Sequence, residues 1–239
     1  MFSIIVPTLN EEKGLEGTLR GLRALSCVPY ELIVADSGSR DATRAIAARY
    51  ADRVVAYQGG PQSAARGRNL GASVARGDIL VFIDADMRVP QINEAFAALR
   101  ALFLREPTLV SVIPRIEVEP ARQRRGDRMS YLVVNSIYWT MNNWLRLSAS
   151  AGAFQAVRAG PFRAIGGYDE GLVVQEDNDM LARLSAWGET RVVWWLRVFH
   201  NPRRERAVGW GRVWYGWISN GAAMRLIGRP LRNEWEEVR

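Results

Sequence analysis

The chain has 239 residues, of which 48% are hydrophobic and 24% charged, a composition typical of soluble globular proteins that excludes disordered and collagen-like chains. Its net charge is +7, and because Lys13 is the only lysine, the positive charge is almost wholly guanidinium, which suits phosphate ligands. The single Cys27 cannot close an intrachain disulfide, so we expect a reducing compartment. The opening residues lack a secretory signal pattern, which predicts a cytoplasmic protein, either free or peripheral at the inner face of the membrane.

Four strand–helix units follow one another in the first 105 residues. Short runs rich in β-branched residues alternate with segments whose apolar residues recur at helical spacing. This alternation predicts an α/β protein with a mainly parallel sheet, covered by helices on both faces, that binds ligands at the carboxyl ends of its strands. The predicted strands are 2–7, 31–36, 53–56 and 78–84, and the predicted helices are 11–25, 41–50, 63–76 and 91–105.

The second part of the chain is less regular. A basic, turn-rich surface loop is expected at 119–126. None of the residues 129–145 is charged, yet three asparagines make the segment too polar for a membrane span. We therefore predict an amphipathic or buried helix. The other predicted elements are strands at 109–117, 153–158 and 190–199 and a helix at 176–187.

Two aspartates directly follow the fourth predicted strand, in the sequence Asp84-Ala85-Asp86. At the carboxyl edge of a parallel sheet, both carboxylates would point into the ligand crevice. Two bare carboxylates repel a diphosphate, but a bridging Mg²⁺ or Mn²⁺ would bind their oxygens and neutralise phosphate charge. Because aspartate is also common in turns, a strand-terminating turn is the alternative.

The acidic sequence Glu176-Asp177-Asn178-Asp179 opens a predicted helix. Acidic residues in a first helical turn interact favourably with the helix dipole, which would account for them without any catalysis. Alternatively, Asp177 is a general base that takes the proton of an acceptor hydroxyl. The dipole is expected to lower the pKa of Asp177, which would keep it ionised but make it a weak base.

His200 is the only histidine and ends a predicted strand. As neutral imidazole it could be a ligand to Mn²⁺, or it could be a satisfied polar group at a strand end. Arg203, Arg204 and Arg206 follow closely. They could bind phosphates or form an ordinary solvated run of charge.

Six segments, in this order, resemble the motifs of the inverting family 2 glycosyltransferases, whose nucleotide-sugar-binding fold is called GT-A. Each motif is weak alone, but the ordered set extends over most of the chain, to His200. The segments are Ile4-Ile-Val-Pro-Thr-Leu-Asn-Glu-Glu12, Val34-Ala-Asp-Ser-Gly-Ser-Arg-Asp-Ala-Thr43, Ala65-Arg-Gly-Arg-Asn-Leu-Gly71, Phe82-Ile-Asp-Ala-Asp86, Phe162-Arg-Ala-Ile-Gly-Gly-Tyr-Asp-Glu170 and Glu176-Asp-Asn-Asp179.

The resemblance implies a three-layer α/β/α sandwich with a mainly parallel central sheet and a C-terminal helical appendage. Residues 1–202 would form the GT-A domain, with a nucleotide-binding half in 1–105 and an acceptor half in 106–202, followed by an aromatic and basic helical tail in 203–239. In such enzymes the first loop and the acid after the second strand hold the base and ribose of the donor. These roles fall on Pro7, Thr8, Asn10, Glu11 and Asp36.

The other implied roles concern the diphosphate, the sugar and the acceptor. A basic residue borders the nucleotide pocket, and because this chain reads Ala-Arg-Gly-Arg-Asn where Ala-Arg-Asn is commoner, both Arg66 and Arg68 are candidates. Asp84, Ala85 and Asp86 match the metal and diphosphate motif, and His200 matches a metal or diphosphate contact. Gly167 and Tyr168 match the wall of the donor-sugar and acceptor site. Asp177 matches the catalytic base, and Glu176 lies beside it.

The implied activity is a metal-dependent transfer, with inversion, of one sugar from a UDP- or GDP-linked donor to a sugar or lipid-linked acceptor. Processive members of the family carry a Gln-x-x-Arg-Trp motif and transmembrane helices. No glutamine follows Gln175 here, and no clear membrane span is present, so we expect one transfer per encounter.

The tail carries four large apolar residues at helical intervals. Such a helix with basic flanks suits a membrane interface, but the stripe could equally pack on the catalytic domain or in a dimer contact. Dolichyl-phosphate mannose synthases are similar to this chain in the same motifs, which makes a lipid phosphate a candidate acceptor; Asp177 would then have no proton to remove. The stripe is Trp210, Trp214, Trp217 and Met224, with Arg212, Arg225, Arg229 and Arg232 elsewhere.

Three other protein classes are less consistent with the sequence. A sugar nucleotidyltransferase would carry a Gly-rich, Arg-containing signature after the first strand, and a dinucleotide oxidoreductase would carry Gly-x-Gly-x-x-Gly there. A non-enzymatic nucleic-acid binder would explain the arginines but not the acidic motifs, because carboxylates repel phosphates. We therefore expect no nucleic-acid partner.

Overall fold

The structure is a computed structural model that describes residues 1–57, 59, 62–150 and 152–231, without the side chain of Arg204. Within this part of the chain, seven strands form one sheet. The strands are β1 (Phe2–Thr8), β2 (Tyr30–Asp36), β3 (Arg53–Ala56), β4 (Ile79–Ile83), β5 (Leu109–Val118), β6 (Phe154–Arg158) and β7 (Glu189–His200).

The sheet order is β3-β2-β1-β4-β6-β5-β7. β6 is antiparallel to both of its neighbours, and all other neighbouring pairs are parallel. The predicted mainly parallel α/β sheet is confirmed. Because β1, β2 and β4 run in one direction, their following loops meet at one edge of the sheet, where ligands bind in such folds.

Helices flank both faces of the sheet. The α-helices of the described residues are α1 (Leu15–Arg23), α2 (Thr43–Tyr50), α3 (Ala64–Ser73), α4 (Ile92–Arg105), α5 (Arg125–Trp139), α6 (Ala159–Ala164), α7 (Glu176–Leu184), α8 (Arg203–Val208) and α9 (Trp210–Ile227).

Side chains alternate between two apolar cores because successive strand residues point to opposite faces. Phe2 and Ile4 of β1 pack into the core that includes α1, α2 and α4, whereas Ile5 packs into the core that includes α3, α6 and α7. Each fully buried side chain of this size contributes about 1.5–3 kcal/mol of transfer free energy. These two cores hold the sheet edge, and therefore the loops after β1, β2 and β4, in place.

Several boundaries differ from the sequence prediction. The helix predicted at 11–25 begins only at Leu15, because the N–H groups of Gly14 and Leu15 both bond to the Glu11 carbonyl in a preceding turn. The loop predicted at 119–126 instead contains a 3₁₀ turn and the start of α5, where the Arg124 N–H donates to the Asp127 carboxylate at 3.0 Å. α6 was not predicted; its six residues are too few to show a helical period.

A π-helical turn, Thr140–Trp144, continues α5, so the predicted helix at 129–145 is present but starts four residues earlier. α8 and α9 form the described part of the predicted tail, and residues 232–239, including Arg232, lie outside the described residues. Trp210 Nε1 donates to Asp127 Oδ1 at 3.1 Å, which fixes α9 to α5. None of the described helices has the length and apolarity needed to cross a bilayer.

Candidate active site

A groove of about 560 Å³ opens at the carboxyl edge of β1 and β2, within the range of about 300–1,000 Å³ typical of small-molecule sites. The loops after these two strands form most of it, as the sequence predicted. Two predicted site residues, Asn10 and Glu11, line it directly. The other lining residues are Leu9, Glu12, Lys13, Gly38, Arg40, Asp41, Gln62 and Arg203.

Asp36 is fully buried and supports the groove from within. Its carboxylate accepts hydrogen bonds from the Thr8 hydroxyl at 3.3 Å, from the N–H groups of Gly38 and Ser39 at 3.1 and 3.0 Å, and from the Ser39 hydroxyl at 2.5 Å. These bonds shape the loop after β2. Pro7 is half-buried and Thr8 is buried. Contacts of Pro7, Thr8 and Asp36 with the base or ribose of a donor stay a prediction.

Arg68, Asp84 and Glu176 form what we call the inner ion cluster. Arg68 Nη1 donates to Glu176 Oε1 at 2.8 Å, and Arg68 Nη2 donates to Asp84 Oδ1 at 3.1 Å. Although burial favours the neutral form, the carboxylates hold the pKa of Arg68 above its usual value, so the guanidinium stays charged. The cluster ties the start of α7 to the end of β4.

The structure places Arg68, and not Arg66, between the carboxylates of Asp84 and Glu176. Residues two positions apart on a helix point in different directions. Arg66 Nε accordingly lies 3.3 Å from Glu170 Oε2, and Arg66 Nη1 donates to the Tyr57 hydroxyl at 3.4 Å. Which arginine contacts a nucleotide stays a prediction, but only Arg68 joins the acidic motif of β4 to that of α7.

Gly167 and Tyr168 lie next to the inner ion cluster. The Tyr168 ring centre is 5.4 Å from the Arg68 guanidinium carbon, its side chain is 2% exposed, and its hydroxyl donates to Gln155. The Asn69 amide bonds to both the N–H and the carbonyl of Tyr168 at 2.9 Å. A Cβ on Gly167, whose φ is +75°, would lie only 2.5 Å from Asn69 Oδ1. Tyr168 therefore packs against Arg68, and glycine at 167 leaves room for the Asn69 amide that bonds to Tyr168. The predicted place of Gly167 and Tyr168 in a substrate wall stays a prediction.

Arg203, Asp86 and Glu11 form what we call the outer ion cluster. Arg203 Nη2 donates to Asp86 Oδ2 at 3.0 Å and to Glu11 Oε2 at 3.3 Å, and the Arg203 side chain is 31% exposed. The Thr18 hydroxyl donates to the Ala85 carbonyl at 2.7 Å, which fixes the turn between the two aspartates. The turn after β4 thus presents Asp84 to one arginine and Asp86 to another.

The outer ion cluster already holds a positive group between two carboxylates. Carboxylate oxygens are the ligands that Mg²⁺ and Mn²⁺ prefer, so the donor set fits a hard divalent cation, with the Arg203 guanidinium as its stand-in. In the described part of the chain, no group of three or more His, Cys, Asp and Glu side chains is already arranged to hold a metal ion. A cation at Asp84 and Asp86 would therefore complete its shell with other oxygens.

The surroundings of Asp84 favour an added positive charge. Burial raises the pKa of this carboxyl to about 6, the Asp86 carboxylate adds to the rise, and Arg68 opposes it. Because 37% of the side chain is exposed, water offsets part of the rise. A cation near both aspartates would relieve their repulsion and favour the ionised form.

Asp177 lies in the first turn of α7 and is 7% exposed. A Cβ on Gly152 would lie 3.1 Å from Asp177 Oδ2, so glycine allows the backbone to approach this carboxylate closely. Burial, with repulsion from Glu176, raises the pKa of Asp177, while Arg68 opposes the rise. The expectation that the helix dipole would lower this pKa was wrong, because desolvation outweighs the dipole. A raised pKa makes Asp177 a stronger base.

His200 ends β7 with its ring against Tyr131, at a centroid distance of 4.8 Å. Burial lowers the pKa of His200, although the nearby Glu205 and Asp86 carboxylates oppose this. The imidazole is therefore neutral near pH 7, the form that binds metal ions. Its Nε2 is buried and has no hydrogen-bond partner among the described residues. This nitrogen fits the predicted contact with a cation or diphosphate, which stays a prediction.

Five polar side chains of the groove, among them Glu12 and Asp41, and the glycine beside Asp177 had no predicted role. Asn69 belonged to a recognised motif, but its contact with Tyr168 joins residues 99 positions apart and has no local signal. Gly152 follows no pattern that predicts its place beside Asp177. The other three groove side chains without a predicted role are Lys13, Arg40 and Gln62.

Comparisons with known proteins agree with this architecture. The model of glycosyl transferase family 2 matches residues 3–165. The succinoglycan biosynthesis protein ExoA of Rhizobium meliloti is 28% identical over 230 residues, which cover 87% of this chain and 67% of ExoA. A PGL/p-HBAD biosynthesis glycosyltransferase of Mycobacterium bovis is 36% identical over 90 residues, and the chain spans only 35% of that relative.

Solved structures share the fold at low identity. The mannosyltransferase PcManGT from Pyrobaculum calidifontis, in complex with GDP-Man and Mn²⁺, has a TM-score of 0.67 and 20% identity, covering 96% of this chain and 65% of that one. Glucosyl-3-phosphoglycerate synthase from Mycobacterium tuberculosis, in complex with Mn²⁺, UDP and glucosyl-3-phosphoglycerate, has a TM-score of 0.59 and 20% identity, covering 96% and 81%.

The family match covers more than half of the 239 residues and includes β1 to β6 and the turn with both aspartates. The fold is shared with the solved structures of a mannosyltransferase in complex with GDP-Man and of a synthase in complex with UDP. The chain therefore belongs to glycosyl transferase family 2, has the GT-A fold and is a glycosyltransferase.

Proposed function

We propose that this enzyme transfers one sugar per encounter from a UDP- or GDP-linked donor to an acceptor, with inversion at the anomeric carbon and with Mg²⁺ or Mn²⁺ bound at Asp84 and Asp86. The observation that carries the proposal is the outer ion cluster, where Asp86 and Glu11 share the positive group of Arg203 beside the 560 Å³ groove, with Asp84 two residues before Asp86 in the same turn. We assign donor binding to residues 1–105 and acceptor binding to residues 106–202.

The bound cation would supply positive charge that stabilises the departing diphosphate. Arg203 bonds to Asp86 in this structure and lines the groove. With a cation at Asp86, its guanidinium would be available to pair with the donor diphosphate. Arg68 keeps Asp84 and Glu176 in fixed positions through two short bonds. His200 offers an unpaired ring nitrogen near Asp86.

Asp177 is the proposed general base. As the acceptor hydroxyl oxygen forms its bond to the anomeric carbon, its proton passes to the Asp177 carboxylate. The bond from the anomeric carbon to the donor phosphate oxygen breaks on the opposite face, which inverts the configuration. The raised pKa of Asp177 matches this task, because the ionised carboxylate has a higher affinity for a proton.

The experiment is a hydrolysis screen over UDP-, GDP- and dTDP-sugars with Mn²⁺, Mg²⁺ or a chelator, with nucleoside diphosphate release as the readout. We expect release from one donor class, only with the cation, and loss of release in Asp86→Ala. The configuration of the product is read by NMR and the number of sugars added by mass spectrometry. Full release in chelator would contradict the proposal.

A second candidate acceptor is a polyprenyl phosphate. It is favoured by the position of α9, which carries exposed apolar side chains: a Cβ on Gly221 would lie 3.8 Å from Gln175 Oε1, next to the proposed base. A phosphate acceptor has no hydroxyl proton to lose. Transfer to such an acceptor should therefore survive Asp177→Asn, whereas transfer to a sugar hydroxyl should not.

A further inference from the structure

The outer side of α5 and the turn that follows it expose large apolar side chains, which we call the α5 apolar face. Their exposed fractions lie between 43% and 78%. Part of this face encloses a groove of about 570 Å³ lined almost wholly by apolar side chains. Patches of this kind mark interaction surfaces. The main members are Met129, Leu132, Val133, Ile137, Trp144 and Leu145.

The inner side of α5 fixes the direction of this face. Asn135 is buried and bonds to both the N–H and the carbonyl of Ile116 in β5, at 3.0 and 2.8 Å. Tyr131 is buried and its hydroxyl donates to Glu205 at 2.7 Å. Asn142 bonds to Ala149 through both its side-chain oxygen and nitrogen. With the polar groups turned inward, rotation of α5 cannot hide its apolar side.

The exposed side of α9 lies beside the α5 apolar face. Arg225 Nη2 donates to the Leu147 carbonyl at 3.2 Å, so the end of α9 contacts the chain that leaves the α5 apolar face. On α9, Tyr215 is 70% exposed, Ile218 63% and Leu226 84%. The tryptophan stripe, for which the sequence left open a membrane interface, packing on the catalytic domain or a dimer contact, is half-buried, with Trp210 packed on Tyr131.

Basic side chains predominate around both surfaces, and the partly exposed Glu189 is paired with Arg146 at 3.5 Å. Between residues 120 and 150 the only acidic residue is Asp127, which is buried and bonded to Trp210, and residues 206–231 contain no acidic residue. Basic side chains border the apolar area and would lie at the level of lipid head groups while apolar side chains reach the acyl chains. The exposed basic residues are Arg124, Arg125, Arg128, Arg146, Arg212, Arg225 and Arg229.

We propose that the α5 apolar face and the exposed side of α9 bind the surface of a bilayer that contains anionic lipids. An apolar area bordered by more exposed arginines than acids complements such a surface. The chain leaving this face reaches Ser150, whose N–H donates to Asn178 Oδ1 at 2.9 Å, beside Asp177. Binding would therefore hold the side of the protein that carries Asn178 and Asp177 toward the membrane. This inference does not depend on the proposed reaction.

The test is co-sedimentation of the full chain with vesicles of phosphatidylcholine alone or mixed with phosphatidylglycerol. We expect binding to the mixed vesicles that weakens as salt is added, because salt screens the arginines. The triple variant Leu132→Gln, Ile137→Gln and Trp144→Gln should have an affinity for the mixed vesicles that is lower by about tenfold or more. It removes apolar surface that the bilayer would bury. These side chains are exposed, so folding should be unaffected.

The matched control is Leu104→Gln on α4, because Leu104 is 70% exposed and lies outside this surface, whereas Leu132 is 50% exposed and lies within it. Leu132→Gln alone should weaken vesicle binding, and Leu104→Gln should not. Three results would overturn the proposal: wild-type protein that stays in the supernatant with anionic vesicles, an equal loss in Leu104→Gln, or a dimer by light scattering that the triple variant dissociates. Donor hydrolysis, measured without vesicles, separates this outcome from failure of the proposed function.

Discussion

The inner and outer ion clusters use the same chemistry, an arginine shared by two acids, in different surroundings. Arg68 is 4% exposed and lies on a helix packed against the sheet. Arg203 is 31% exposed and lies at the start of a helix of six residues. A buried pair that loses a partner leaves an uncompensated charge, whereas a half-exposed pair can exchange a partner for water or a ligand. We therefore expect the inner cluster to stay fixed, and the proposed exchange of Arg203 for a divalent cation falls on the outer cluster.

The largest expected loss of activity is at Asp86, the carboxylate that would exchange Arg203 for a cation. Asp86→Ala removes the oxygens shared between Arg203 and the proposed cation. Cation stabilisation of a departing diphosphate is worth several kcal/mol, so donor turnover should fall about 10⁴-fold. Nucleoside diphosphate release with saturating Mn²⁺ checks this. Turnover within a factor of about three of wild type would remove Asp86 from the mechanism.

Asp177 lies next to Glu176 of the inner ion cluster. Asp177→Asn should lower the rate of transfer to a hydroxyl acceptor by about 10²- to 10⁴-fold while the affinity for the donor is kept. Because burial raises the pKa of Asp177, the fraction of ionised base, and so the wild-type rate, should increase with pH up to neutrality. The residual rate of the variant should lack this increase. Identical pH profiles of the two proteins would contradict the assignment of Asp177.

Arg68→Gln tests the structural role of the inner cluster. It leaves Asp84 and Glu176 without their common partner, so the free energy of unfolding should fall by about 3 kcal/mol. Arg20→Gln is the control, because it breaks an exposed pair with Glu16 and should leave the free energy of unfolding almost unchanged. Urea denaturation measures both. Adding Glu176→Gln to Arg68→Gln should recover part of the loss. Equal costs in the two single variants would show that the buried inner cluster contributes no more to stability than an exposed surface pair.

The smallest effect concerns competition between Arg203 and the cation. Arg203→Gln removes the group that occupies Asp86 and Glu11, so Mn²⁺ should bind about tenfold more tightly in the absence of donor. Arg203→Lys keeps the charge and should stay closer to wild type. Electron paramagnetic resonance of free Mn²⁺ gives the affinity without any turnover. Weaker Mn²⁺ binding in Arg203→Gln would contradict the exchange.

Local patterns in the sequence predicted the parts of this site that depend on single strands. The apolar run of β4 and the rules for parallel sheets placed Asp84 and Asp86 at the ligand edge. Both ion clusters were beyond such reasoning, since Arg68 and Glu176 are 108 positions apart, and Arg203 and Glu11 are 192 apart. No periodicity encodes those contacts.

Burial and the direction of a helix face were also hard to predict. The dipole at the start of α7 was visible in the sequence, but the desolvation that reverses the pKa shift of Asp177 depends on the packing of other elements around it. On α9, spacing predicted an aromatic stripe, and the contact of Trp210 with Tyr131 turned that stripe toward the protein. The exposed side is instead the one with Tyr215 and Ile218.

Anomalous diffraction at the manganese edge, from crystals soaked with Mn²⁺ and a hydrolysis-resistant nucleotide sugar, would test the exchange most directly. We predict a single manganese peak about 2.1 Å from an Asp86 carboxylate oxygen, with Arg203 moved from Asp86 to the diphosphate and Arg68 still bonded to Asp84 and Glu176. A donor bound without manganese at this turn, with the bond between Arg203 and Asp86 intact, would contradict the account.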